Sequence, residues 1–156
     1  MSTEDNKAIV RRFYEEVWNR GNVAAVDELI APNLVHHYDY PTTVPVPVDN
    51  PLSREGIKHL IPQFRSAFPD LHCTVELQVA EGDLVATRVT AHGTHTGEYQ
   101  GLTFQGIPPT GKHVTWTMTD ISHLRDGKIV ESWLNDDAVG RLQQIGVIPT
   151  PGQATR

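Results

Sequence analysis

The chain has 156 residues, 38% of them apolar and 21% charged, with a formal net charge of −6. That length suits one domain with a real core, and the balance excludes a disordered chain. The acidity disfavours nucleic acid or an anionic membrane as the main partner, and a single cysteine, Cys73, excludes an internal disulfide framework.

Ser2 with Asp5 three places on reads as a capped helix start. Ile9, Val10, Phe13, Tyr14 and Val17 then recur at helical spacing until Gly21. Asn22 is expected to cap a second, short helix that buries Val23, Val26, Leu29 and Ile30 and stops at Pro32. Residues 33–52 contain Pro41, Pro45, Pro47 and Pro51, which predict a long irregular loop of the kind that often carries function. It opens on the polar-aromatic cluster His36-His37-Tyr38-Asp39-Tyr40. Ser53 caps a third helix carrying Ile57, Leu60, Ile61, Phe64 and Phe68, kinked at Pro62 and closed by Pro69. The N-terminus shows no basic, apolar signal sequence and no apolar run reaches membrane-spanning length, so a cytoplasmic protein is expected.

Beyond Pro69 the period changes to two. Cys73, Val75, Leu77 and Val79 alternate with polar residues, the turn Glu81-Gly82-Asp83 follows, and Leu84–Thr96 is again strand-like. A short strand is predicted at Leu102–Phe104. The rigid turn Gly106–Lys112 then feeds a strand from His113 to Arg125, and Asp126-Gly127 turns it into a last strand, Lys128 to Asn135. A helix is predicted over about 137–145, and the Pro-, Thr- and Gly-rich residues 149–156 read as a flexible tail to a domain spanning 1–148. Helices first and antiparallel strands later predict an α+β architecture, a long curved sheet over helices with a pocket at its open end.

The order of elements resembles the cone-shaped fold of nuclear transport factor two. Within it, the chain resembles the SnoaL-like polyketide cyclases, or ester cyclases. The words that carry the resemblance are Gly93-Thr94-His95-Thr96-Gly97-Glu98, Gly106–Lys112, Asp120-Ile121, Asp126–Glu131, Trp133 and Gly140–Gly146. The resemblance implies a cone with a deep apolar cavity, usually in a dimer, tetramer or other oligomer, with no cofactor and no metal. It also implies ring closure of a small molecule by intramolecular aldol condensation, with an aspartate as acid/base. Aligned without gaps on Gly140–Gly146, that aspartate falls on Leu134, with Asp136 and Asp137 two and three residues later, and a cyclase pocket histidine falls on Asp120.

The candidate residues follow. Trp116, Met118, Asp120 and Ser122 share one face of their strand, so Asp120 is a candidate acid/base in a dry pocket. Arg88, on the neighbouring strand, is the expected ion-pair partner of Asp120, and His92 shares the face of Arg88. His37 is expected at the pocket mouth, suited to proton transfer near neutrality. Tyr38, Trp18, Trp133 and Asp136 are expected to contribute to the lining, and His95 to stabilise its turn. The histidine spacing does not read as a metal site. Together these predict a cofactor-independent cyclase of an apolar, carbonyl-bearing small molecule. A dehydratase, isomerase or epoxide hydrolase on the same fold, or a non-catalytic small-ligand-binding protein, are the alternatives.

Overall fold

The computed structural model describes residues 1–38, 53–100 and 105–152. Helix α1 (Thr3–Arg12) starts on a capping box: the Ser2 hydroxyl accepts from the Asp5 amide at 3.1 Å, and the Asp5 carboxylate accepts from the Ser2 amide at 2.9 Å. The Ser2 hydroxyl, donating to the Asp5 carboxylate at 2.7 Å, and the Ser2 amide hold that carboxyl below its ordinary range. The helix widens into a π-helical stretch, Phe13–Asn19, and the chain turns at Gly21, whose φ of +69° favours glycine.

The expected second helix is shorter than predicted. Val23–Ala25 is a 3-10 turn, α2 covers only Val26–Leu29, and Asn22 makes no side-chain cap. Ile30 already leaves for a strand, β1 (Ile30–Tyr38), where an irregular loop was expected. Its register slips between Ile30 and Val35, around Pro32, and it lies at the sheet edge. A residue without an N–H is tolerated at such a place. The rest of the predicted loop, 39–52, lies outside the described residues. Helix α3 (Arg54–Ala67) begins where predicted: the Ser53 hydroxyl accepts from the Gly56 amide at 3.0 Å.

Strands β2 (His72–Glu81) and β3 (Leu84–Thr94) form a hairpin. Two short strands, β4 (Tyr99–Gln100) and β5 (Gln105–Ile107), pair with each other; the predicted strand Leu102–Phe104 lies outside the described residues. β6 (His113–Arg125) and β7 (Lys128–Asp136) form the second large hairpin, through Asp126 and Gly127 at φ +51° and +76°. The five long strands lie in the order β1-β7-β6-β3-β2. β1 runs parallel to β7 and every other pairing is antiparallel, so the sheet is mixed rather than purely antiparallel. Helix α4 (Ala138–Gln144) is capped by the Asp137 side chain, which accepts from the Gly140 amide at 2.8 Å.

The glycine-rich words have steric reasons. A Cβ on Gly97 would lie 2.0 Å from the Ser66 carbonyl oxygen, because the Gly97 and Thr96 amides both bond the Ala67 carbonyl at the end of α3. His95, fully buried, ties this crossing to the Gly106–Lys112 turn: its Nδ1 accepts from the Thr110 amide at 3.3 Å and meets the Thr110 hydroxyl at 2.9 Å. Burial holds its imidazole below the ordinary range, as suits a structural acceptor.

On β6 the alternation is unbroken. Val114, Trp116, Met118, Asp120, Ser122 and Leu124 are buried, facing the helices, while residues between them face outward. The core lies between that inner face and α1, α3 and the π-helical stretch. Among the described residues, no helix is long and apolar enough to cross a membrane.

Candidate active site

The inner face of the sheet and the helices enclose an apolar cavity. The N-terminal helices contribute Phe13, Tyr14 and Trp18, and α3 contributes Ile57, Leu60 and Phe64. The sheet contributes Leu34, His36 and Tyr38 from β1, Trp116, Met118, Asp120 and Ser122 from β6, and Ser132, Leu134 and Asp136 from β7. Arg141 and Leu142 come from α4. The walls are chiefly hydrocarbon and aromatic, so each polar group in them has an identifiable role.

Asp120 is 5% exposed. Its Oδ2 accepts from the Ser122 hydroxyl at 3.1 Å and from the Tyr14 hydroxyl at 3.3 Å. Its Oδ1 is buried without a hydrogen-bond partner among the described residues. Burial pushes the carboxyl up to about 6, and the two hydroxyls only partly oppose it. The Tyr14 phenol is in turn held well above its usual range by burial and by Asp120, so it stays a donor.

A second polar group lies across the sheet. The His36 Nδ1 and the Ser132 hydroxyl are joined by a short hydrogen bond. Burial, reinforced by neighbouring His37, drops the His36 imidazole to about 4, so it is neutral at physiological pH. A third group surrounds Arg141, which is 3% exposed. Its Nη1 donates to Asp136 at 2.9 Å and its Nε donates to the Tyr99 hydroxyl at 3.2 Å. Tyr38 also donates to Asp136, at 2.9 Å. The guanidinium lies over the Trp116 ring, 5.0 Å from its centroid, and 5.3 Å from that of Phe64. Cys73 lines the same cavity, but burial pushes its thiol up to about 12, which leaves it inert as a nucleophile.

The candidates from sequence divide cleanly. Asp120, Trp116, Met118, Tyr38, Trp18 and Asp136 come together in the cavity wall. Arg88, His92, His37 and Trp133 do not. Arg88 pairs with Thr119 and Thr87 with Asp120 in the β3–β6 register, so Arg88 lies on the opposite face from Asp120. It bonds the Thr119 hydroxyl at 3.2 Å, and the expected Arg88–Asp120 ion pair cannot form. His92 shares that outer face, in a row of tilted rings between His72 and His113 at separations of 5.7 and 5.6 Å. His37 points outward because β1 is a strand, and alternation turns its neighbour His36 inward. It bonds Glu131 at 2.8 Å and stacks on Trp133 at 5.2 Å, with the ring planes 8° apart. Trp133 and Asp136 differ by an odd number of positions on a regular stretch of β7, so they face opposite sides.

His36, Ser132, Tyr99 and Arg141 were missed. For Arg141 the sequence offered only its place four residues before Ile145, at the end of the last helix; the structure buries both. Among the described residues no three His, Cys, Asp or Glu side chains converge as metal ligands.

The family model for SnoaL-like polyketide cyclase matches residues 8–145. Among solved structures, the chain is 37% identical to IdmH, a candidate polyketide cyclase from Streptomyces antibioticus. That likeness covers 91% of this chain and 99% of that one, at a TM-score of 0.70. It is 28% identical to AclR, a candidate hydroxylase from Streptomyces galilaeus, over 97% of this chain and 87% of that one, at a TM-score of 0.77. A candidate polyketide cyclase from Bacillus cereus is 27% identical over 95% of this chain and 87% of that one, at a TM-score of 0.74. No curated protein matches the chain. The curved mixed sheet over N-terminal helices is the nuclear-transport-factor-two-like fold, and the chain belongs to the SnoaL-like polyketide cyclase family.

Proposed function

We propose that the protein is a cofactor-independent cyclase that closes a ring in an apolar, carbonyl-bearing, polyketide-like molecule, with Asp120 as its acid/base. The observation that carries this reading is the buried carboxyl at about 6 in a chiefly apolar cavity, with one oxygen unpartnered among the described residues. Such a group is largely ionised at neutral pH yet basic enough to take a proton from carbon beside a carbonyl. The Tyr14 and Ser122 hydroxyls hold it in place through one oxygen and leave the other for the substrate.

The chemistry balances without a co-reactant. Asp120 takes the C–H proton. The resulting enolate carbon attacks a second carbonyl carbon of the same molecule, forming one C–C bond. The displaced π pair becomes an alkoxide, which takes the proton back from the Asp120 carboxyl and so regenerates the carboxylate. Folding both reacting ends of a flexible molecule into one cavity lowers the barrier by up to about 7–11 kcal/mol in favourable cases.

The test is turnover of polyketide-like poly-carbonyl substrates, followed by mass and retention time. Ring closure gives a product of unchanged mass, whereas hydration or dehydration shifts it by one water. Asp120→Asn is expected to lower conversion by about 10²–10⁴-fold in a folded protein. Full activity in that variant rejects Asp120 as the acid/base.

A further inference from the structure

We infer that Arg141 forms a second polar subsite in the cavity, which seats a carbonyl oxygen of the substrate and selects an elongated apolar molecule with oxygen functions at two separated positions. This deepens, and rests on, the reading of the cavity as the substrate site.

Four observations carry it. Arg141 lines the cavity and is almost fully buried, so its donors face protein and cavity rather than bulk water. Its described hydrogen bonds use Nε, to Tyr99, and Nη1, to Asp136; Nη2 has none among the described residues. A buried guanidinium with spare donors is costly unless something accepts from it. The guanidinium is also locked, by Asp136 and Tyr99 at its edge and by the Trp116 and Phe64 rings against its plane, so the open donors are fixed in direction. Finally, Asp136 cancels the charge. What remains is a set of directed N–H donors without net positive charge, which fits a neutral carbonyl better than a phosphate or sulfonate.

The subsite stands apart from Asp120. Asp136 is opposite Met118, two residues from Asp120, and Trp116 is four residues from it. At about 3.3 Å per residue, Arg141 and Asp120 are separated by roughly 7–13 Å along the sheet. One carbonyl with its own neighbouring carbon spans only the lower end of that range. A chain or fused ring system with oxygens spaced along it spans the whole. Arg141 is thus assigned the specificity role and Asp120 the proton.

The test measures binding of two matched probes, 2-acetylnaphthalene and 2-ethylnaphthalene, by equilibrium dialysis at pH 8, where Asp120 is ionised and cannot donate to a ketone. The wild-type protein is expected to prefer the ketone by about tenfold, the effect of satisfying a buried donor. Arg141→Met combined with Asp136→Leu removes both charges together and avoids stranding one. In that variant the preference falls to about twofold or less. Arg141→Lys keeps the charge but loses the fork, and reduces the preference likewise, giving a second readout should the double variant not fold. Persistence of the preference in both Arg141 variants, or an equal loss of it in His37→Ala, which lies outside the cavity, overturns the subsite. Equal binding of both probes by the wild type also overturns it and leaves the catalytic reading standing. If neither probe binds up to its solubility limit, the cavity reading and the subsite fall together.

Discussion

Asp120 lies directly opposite Leu134 in the β6–β7 ladder, and both side chains line the cavity. Leu134 is the position on which an ungapped alignment puts the aspartate of the cyclases that the sequence resembles. Cross-strand neighbours on one face have Cβ atoms about 4.5–5.5 Å apart. Asp120 and position 134 are thus one strand spacing apart, over nearly the same part of the cavity.

Asp120→Asn is the primary test of the proposed chemistry. Amide replaces carboxyl at nearly equal size, so the cavity keeps its shape while proton transfer is lost. Turnover is expected to fall by about 10²–10⁴-fold, the usual contribution of a positioned acid/base. A circular dichroism melt checks that the protein still folds.

The same variant should alter the pH dependence of stability. The Asp120 carboxyl rises from an ordinary 3.8 to about 6 on folding, through burial. A raised pKa means that the native state binds the proton more tightly than the unfolded chain. The contribution is fully present below about pH 4 and is lost as pH rises through 6. Two units correspond to about 2–3 kcal/mol. His36 has the opposite sign, since burial lowers its imidazole to about 4, and its contribution is lost as pH falls from 6.5 through that value. The wild-type curve therefore mixes two opposed slopes. Urea unfolding of wild type and Asp120→Asn across pH 4–8 isolates the Asp120 part: the variant gains stability relative to wild type as pH rises. A constant difference across that range removes the pKa assignment.

His36 and His37 provide a paired test of which histidine serves the cavity. His36→Ala deletes the partner of Ser132 and opens space in the wall, and is expected to reduce turnover by at least about tenfold. His37→Ala removes an exposed ring from Trp133 and Glu131, and is expected to leave turnover within about twofold and stability within about 0.5 kcal/mol. Steady-state rates and melts on the two purified variants decide it. The reverse pattern would return His37 to the site.

The adjacent histidines also show where sequence reasoning stopped. Most caps and turns were readable because their chemistry is local: Ser2 with Asp5, Ser53 and Asp126-Gly127 each act within three or four residues, although Asn22 makes no cap. The face of β6 was readable from its alternation alone. β1 was not, because its partner β7 lies about a hundred residues away and its proline and mixed polarity gave no period. Without a strand there was no parity to separate His36 from His37. Arg88 failed for a related reason, since pairing with β6 was foreseen but the register that sets Thr87 opposite Asp120 was not. Arg141 was overlooked because a charge in a terminal helix reads as solvated until the carboxylate and rings around it are known.

Gly97 tests the frame that holds the cavity. A methyl group there would meet the Ser66 carbonyl oxygen at 2.0 Å, and backbone cannot yield as a side chain tip would. Gly97→Ala is expected to destabilise by more than about 2 kcal/mol. Gly82→Ala is the control: its φ is +55°, with nothing within 4 Å of the added carbon. It is expected to cost only about 1–2 kcal/mol of backbone strain. Chemical denaturation of both variants measures the gap, and equal losses would mean that the close crossing at Ala67 relaxes freely.

The Asp120–Leu134 relationship makes one more demand. If the cavity needs a carboxyl over this patch and not on a particular strand, moving it across should restore function. Asp120→Leu alone removes the acid and strands the Tyr14 and Ser122 hydroxyls. Adding Leu134→Asp returns a carboxyl roughly 5 Å away on the same face, opposite the new leucine. The swap loses the hydroxyl clamp, so recovery is partial: activity rises about tenfold or more above Asp120→Leu but stays below wild type, since misplacement of about 1 Å can itself cost 10²-fold. Rates for wild type, both single variants and the swap form a double-mutant cycle. Strong coupling means that the two positions share one role. Simple additivity means that the carboxyl works only where Tyr14 and Ser122 hold it, and that the family's reaction has been rebuilt around β6.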